Sequence, residues 1–269
     1  MIYFNTNGRR ACNGEFRVFS DIPKNYYQLK QPEIDYSKIL ENSIKFGGVS
    51  SAINLDRFQF TCEKLKKEIK SNPDFKNLFN AVHIPFICKK VDSANDLGRD
   101  LEEIELPGIQ RSFKSLFPKS HFKAVLQSNS QLPGSITLDP RSRYKSFLEK
   151  SLIGNIVGWY FPQALQEFDI ESQRKQMKYL PEHENICLSG GIDIAAAIIG
   201  SPELLISDNF YTPILCMSAY VHSDSRLVLL LKSYGPHMEF WCMTQMLSKN
   251  ITQVSEQWAG GITAYSLLS

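Results

Sequence analysis

RLVLLLKSYG, residues 226–235, carries five apolar side chains in unbroken succession at 227–231. Alternate residues of a strand point to opposite faces, so a run that is apolar at every position needs cover on both sides and reads as a central strand. It is flanked by two further strand-like runs, TPILCMSAYVH (212–222) and HMEFWCMTQM (237–246), across the short connections Ser223-Asp224-Ser225 and Gly235-Pro236. Connections this short join antiparallel neighbours. The C-terminal half is therefore expected to hold a mostly antiparallel sheet, and the chain as a whole an α+β fold.

Helical patterning dominates earlier in the chain. Leu55, Phe58, Cys62, Leu65 and Ile69 recur at three and four residues, one apolar stripe opposed by lysines, and Pro73 closes the segment. AVHIPFICKK (81–90) reads as a strand confined by Pro85 to an edge or a bulge. DLGRDLEEIELPGIQRSFKSLF reads as helix with a corner at Pro107-Gly108, and HFKAVLQSN (121–129) as a short strand. EFRVFS, after Asn13-Gly14, is a hairpin candidate. Residues 144–168 are expected to be the longest helix, with Leu148, Leu152, Ile156, Trp159 and Tyr160 on one face and Gly154, Gly158 and Pro162 as interruptions. We expect one continuous domain over 1–269, with lobes at 1–168 and 186–269 joined by the polar segment 169–185.

Composition narrows the class. At 269 residues, with 43% apolar residues, 17 Phe and 11 Tyr, there is material for a large core, and 22% charged residues is ordinary for a folded domain. Thirty basic against 28 acidic side chains leave a net charge of +2, too small to draw nucleic acid by bulk attraction. No apolar stretch reaches the length of a membrane span, and MIYFNTNGRRACNGEF lacks the apolar core of a secretory signal. The six cysteines are widely spaced, and Cys88, Cys187 and Cys216 sit in apolar runs as small hydrophobes do. A cytoplasmic location without nucleic-acid or membrane partners is the expectation.

ENICLSGGIDIAAAIIG (184–200) contains the only short motif that suggests phosphate chemistry. Ser189, Gly190, Gly191 and Asp193 resemble the pyrophosphate loop of the ATP-dependent adenylating enzymes related to asparagine synthetase, in which a strand leads through Ser-Gly-Gly-x-Asp-Ser into a helix. The resemblance implies backbone amides and hydroxyls cradling the pyrophosphate of ATP. Ile194 stands where the family has its second Ser, and the consecutive strands that follow depart from the family's alternating helices. The same letters describe the start of a buried helix: Ser189 as cap, Ile192, Ala195, Ala196 and Ile199 inward, and Gly200 and Pro202 at the end. That second reading is preferred.

Other candidate chemistry is dispersed. His222 with Asp224, and His237 with Glu239, alternate along probable neighbouring strands; meeting at one sheet end, the four would bind a divalent cation or move protons. Arg141, Arg143 and Lys145, with Tyr144 beside them, are the best candidate for contact with an anionic ligand. Trp159 and Tyr160 would line a pocket. No CxxC, HExxH, GxSxG or GxGxxG sequence is present. Three functions follow: a cytoplasmic enzyme acting on a small, anionic molecule; a non-catalytic protein that binds another protein through its aromatic N-terminal arm and the tail GGITAYSLLS; or an ATP-using adenylating enzyme with a degenerate loop. Cofactor and reaction are not specified by these residues.

Overall fold

The structure is a computed structural model that describes residues 2–11, 26–92, 96–126, 131–207, 209, 211–244, 246–248, 251–252 and 255–268. EFRVFS and Asn13-Gly14 lie outside those residues. The fold is α+β, built on a mixed, mostly antiparallel sheet of eight strands.

The expected hairpin forms its spine. Strands β8 (Leu227–Tyr234) and β9 (His237–Thr244) pair antiparallel across a turn in which Gly235 adopts a φ of 57°. Labelling the remaining members β1 (Ile84–Cys88), β2 (Phe122–Leu126), β4 (Ile156–Gln166), β6 (Ile214–Cys216) and β12 (Trp258–Leu267), the order across the sheet is β1-β4-β12-β6-β8-β9-β2. The short β5 (Ile186–Leu188) adds to β12 beside β6. Between β9 and β12 the chain forms a small antiparallel ribbon of its own, β10 (Met246–Ser248) with β11 (Ile251–Thr252). Pro85 sits in the edge strand β1, where its missing donor costs no ladder bond. Of GGITAYSLLS, residues 260–267 belong to the central β12, which is flanked along its length by β4; residues 260–265 are buried and 266–268 half-buried.

Two expectations need correction. Residues 144–168 are not one helix: α5 (Tyr144–Ile153) ends at Gly154, and β4 follows with all eleven residues buried. A continuous apolar run has no periodicity to separate a doubly covered strand from a buried helix, and β-branched and aromatic side chains tip 156–161 to strand. Pro162 falls beyond the end of β1 and opposite an irregularity in β12 between Gly260 and Ile262, where the ladder needs no donor. Similarly, 212–222 is two strands. The chain leaves the main sheet after β6, and β7 (Tyr220–His222) pairs instead with β3 (Ile136–Leu138) in a separate ribbon. The break is held from outside: Arg174 donates to the carbonyls of Ser218 (3.0 Å) and Tyr220 (2.8 Å), and the Ala219 N–H donates to Ser189 O.

Helices cover both faces. α1 (Tyr36–Gly47) starts at Asp35, whose carboxylate accepts from Lys38 N at 3.0 Å, and ends at Gly48 with φ 71°. α2 (Leu55–Ser71) buries Phe58, Cys62, Leu65 and Ile69 of the expected stripe and leaves its first member, Leu55, half-buried. Trp159 and Phe161 of β4 face it, Trp159 donating from its indole to Cys62 O at 2.9 Å, with Phe79 edge-on to both rings. The polar segment 169–185 carries α6 (Ile170–Tyr179), which buries Ser172, Gln173, Gln176 and Met177.

The element that shapes the site is an interrupted helix. α3 (Leu97–Asp100) passes through one wide π-turn (Leu101–Glu105) into α4 (Leu106–Leu116). Pro107 explains the turn. Within a regular helix a proline lacks its N–H and its ring crowds the carbonyl one turn back, and the wider i→i+5 winding relieves both. Pro107-Gly108 is thus no corner. Gly108 instead permits close crossing, since a Cβ there would lie 2.9 Å from Ile199 Cδ1 and 3.0 Å from Phe46 O.

Candidate functional site

Ser189-Gly190-Gly191-Ile192-Asp193 leads from β5 into α7 (Gly191–Gly200), every residue of which is buried. Gly190, and not Ser189, is the cap. Asp193 reaches back to accept from Gly190 N at 2.9 Å, and also accepts from Tyr144 Oη at 2.7 Å and from the Thr263 hydroxyl. Ser189 Oγ shares a hydrogen bond with Thr263 Oγ1 at 2.8 Å. The glycines face tyrosines: a Cβ on Gly191 would stand 2.6 Å from Tyr220 Cε2, and one on Gly190 2.8 Å from the Tyr144 ring. Burial pushes the Asp193 carboxyl above its ordinary range, against the pull of its three donors. The hydroxyls and amide of this loop are spent on one another.

The basic cluster is likewise committed. Arg141 grips Asp139 with Nε (2.9 Å) and Nη2 (2.6 Å) and reaches Glu171 with Nη1 (2.7 Å). Against the upward push of burial, Arg141 holds the Asp139 carboxyl below its usual range. Arg143, at a left-handed φ of 60°, donates to the carbonyls of Met177, Leu180 and Pro181 and so satisfies the C-terminal end of α6. Lys145 is exposed near Glu149, and the buried Trp159 and Tyr160 are held within β4.

The two histidine pairs do not come together. His222 ends in the β3–β7 ribbon, where its Nδ1 accepts from Asp224 N at 2.9 Å and Asp224 closes on Arg226. That arginine pulls the Asp224 carboxyl down to about 2. His237 lies on β9, whose neighbours are β8 and β2, and stacks on His121 at 3.7 Å. Glu239 accepts from the Trp241 indole at 2.7 Å and lies 3.6 Å from Lys232 Nζ. Among the described residues no group of three or more His, Cys, Asp or Glu side chains is arranged to hold a metal ion, and no helix is long and apolar enough to cross a membrane. Five of the cysteines, at 62, 88, 187, 216 and 242, are described, and all five are buried.

A cavity of about 220 Å³ lies elsewhere, beneath the π-turn and between the last turn of α1, the end of β1 and the outer side of α7. Ile192, Ala195, Ala196 and Ile199 of α7 give it an aliphatic wall, continued by Ile87 and Ile104. Its charged members are Lys89, Asp92, Asp100 and Glu105. Glu105 is the unusual one. It is 9% exposed, and its Oε2 is buried without a hydrogen-bond partner among the described residues. Loss of water pushes its pKa up to about 8; the charges of Asp100 and Asp193 add to this and Lys89 opposes it. Asp100 is also raised, again mainly by burial. A carboxylic acid that keeps its proton near neutral pH inside an apolar pocket donates or accepts a hydrogen bond, or exchanges a proton, with whatever fills the space.

Leu97, Leu101, Ile109 and Phe113 recur at multiples of four residues and place Glu105 on the same buried helix face, a spacing that distinguishes it from Glu102 and Glu103. Comparison of the chain with known protein families, with curated proteins and with solved structures finds no match.

Proposed function

We propose that this protein binds a small, largely aliphatic organic molecule in the cavity under the π-turn, with Glu105 as its polar anchor. One observation carries the reading: a buried carboxyl oxygen without a partner, on the wall of a cavity that is otherwise mainly apolar. Leaving such a group unsatisfied costs about 1–3 kcal/mol, an expense that a bound donor recovers. The size suits a ligand somewhat larger than benzene, which fills an engineered apolar cavity of about 150 Å³ in another protein. The protonated acid would also serve general acid–base chemistry, which keeps an enzymatic role within this proposal.

A fragment panel of neutral, cationic and anionic molecules with about six to ten heavy atoms tests it by thermal shift. A fragment at ten times its Kd stabilises by about 1.4 kcal/mol and raises Tm by about 3–5 °C for a chain this size. The Ala196→Phe variant, which fills the space, should fold and lose the shift. No responding fragment, or a shift that survives in the variant, overturns the proposal.

A second reading, a protein-binding role, draws on tyrosines near the β8–β9 turn. Tyr211 and Tyr234 are 62% and 69% exposed beside an open cleft, and Tyr26 stacks on Tyr211 at 5.3 Å. Aromatic residues exposed in a group favour a partner surface. Loss of a captured partner on Tyr211→Ser, with fragment binding absent, would favour this reading over the first.

A further inference from the structure

The charges around the cavity specify more than its size does. We propose that the ligand is an aliphatic amine bound as its ammonium ion, the alkyl body against the α7 wall and the nitrogen directed at Glu105, with Asp100 as the second acidic group; this rests on the small-molecule reading of the same cavity. Among the described residues, three carboxyl groups, Asp92, Asp100 and Glu105, line the space against one cation, Lys89, and no arginine does. The last turn of α1 contributes Ser43 and Gly47 to the wall and the first turn of α7 contributes Ile192, so helix ends of opposite polarity meet there and the excess of carboxyl groups decides the sign. That excess attracts a cation and repels an anion.

The donor count agrees. Glu105 Oε2 lacks a donor, and an ammonium supplies three, where an alcohol supplies one. Among the described residues the lining contains no aromatic ring, the surface that holds quaternary ammonium ions by their charge against π-faces. A primary or secondary alkyl amine fits the site, and tetramethylammonium does not.

Binding has a proton balance. Glu105–COOH and R–NH₃⁺ become the ion pair Glu105–COO⁻···⁺H₃N–R, and the carboxyl proton leaves to solvent. The groups that set Glu105's titration are Asp100 from α3, Asp193 from α7 and Lys89 after β1. Cys88 of β1 and Tyr220 of β7 also feel its charge, and both have their own ionisation pushed up by burial. With a midpoint of about 8, about 0.9 proton should be released per amine bound at pH 7 and about 0.1 at pH 9.

Calorimetry on the full chain with n-hexylamine, n-hexanol, hexanoate and tetramethylammonium, in buffers of different ionisation enthalpy, tests this. We expect hexylamine to bind at least tenfold tighter than hexanol, the other two not to bind, and the proton release to fall by that amount between pH 7 and 9. In Glu105→Gln, checked for folding by its thermal transition, the amine preference should shrink below threefold. The wild-type ratio of amine to alcohol decides the matter even if that variant fails to fold. Equal affinity for hexanol, or tighter binding of hexanoate, overturns the amine assignment and leaves the cavity reading standing. Xenon NMR separates the remaining case: if none of the four binds but xenon enters, the ligand class is wrong; if xenon does not enter either, the cavity reading has failed.

Discussion

Replacing Asp193 with alanine would remove one acceptor from three donors at once. The amide of Gly190, the phenol of Tyr144 and the hydroxyl of Thr263 all converge on this carboxyl, in surroundings where Ser189, Gly190, Gly191 and Asp193 are buried. Thr263 can turn to its remaining partner, Ser189 Oγ. The Gly190 amide and Tyr144 phenol would be stranded, at about 1–3 kcal/mol each. We therefore expect Asp193→Ala to lower the unfolding free energy by about 3 kcal/mol, a large fraction of the roughly 5–15 kcal/mol typical of a folded domain. Asp193→Asn should behave differently. Its carbonyl oxygen keeps the bonds from Gly190 and Tyr144, its amide can donate to Thr263, and it removes a group that burial already disfavours as an anion. That variant should stay within about 1 kcal/mol of wild type. Urea unfolding followed by tryptophan fluorescence measures both. Equal large losses would show that the negative charge itself is required, as a phosphate or metal loop would imply, and would refute a network held by hydrogen bonds alone; negligible losses in both would show that the hydrogen bonds carry no weight.

Further outcomes are expected at the cavity and the loop. Because the folded-state pKa of Glu105 is raised, its contribution to stability is fully present below the unfolded value near 4.5 and is lost as pH climbs to about 8. The full loss is on the order of 5 kcal/mol as an upper bound. Urea unfolding at pH 5 and pH 9 should thus show Glu105→Gln gaining on wild type at the higher pH, and a difference independent of pH would count against a buried, unpaired acid. Gly191→Ala should cost about 1–3 kcal/mol by forcing Tyr220 aside from a Cβ that would lie 2.6 Å away. A neutral result in the same assay would mean the ring has room that the packing does not show.

How far the residues announced the fold depended on whether the deciding contacts were local. The 227–231 run, its Gly235-Pro236 turn and the α2 stripe were readable because five apolar neighbours, a tight connection and a 3.6-residue period each carry their own signal. Pro85 marked an edge strand for the same reason. β4 was not readable: Leu148, Leu152, Ile156 and Trp159 mimic a helical face, and the partners that make 156–166 a strand, β1 about seventy residues earlier and β12 about a hundred residues on, are both remote. The split of 212–222 depends on Arg174 and Ser189, neither close in sequence. That split is why His222 and His237 never meet. Arg143 looked available for a ligand because its partners at the end of α6 lie more than thirty residues away; Arg141 has one distant partner, Glu171, but also a local one, Asp139, that sits in plain view two residues before it. Glu105 is legible as a helix-face position, four residues from both Leu101 and Ile109, but that spacing does not announce the cavity beside it, whose other walls come from α1, β1 and α7.

The state of that carboxyl is the measurement to make. A carbon-13 NMR titration of the glutamate side-chain carboxyls, with Glu105→Gln to assign the resonance, would follow its ionisation in the intact chain. A buried, unpaired acid should show a midpoint near 8, moving to lower pH when n-hexylamine is added and staying in place with n-hexanol. A midpoint near 4.3, the value of a solvated glutamate, would place Glu105 in water or against a cation and contradict the cavity reading at its source.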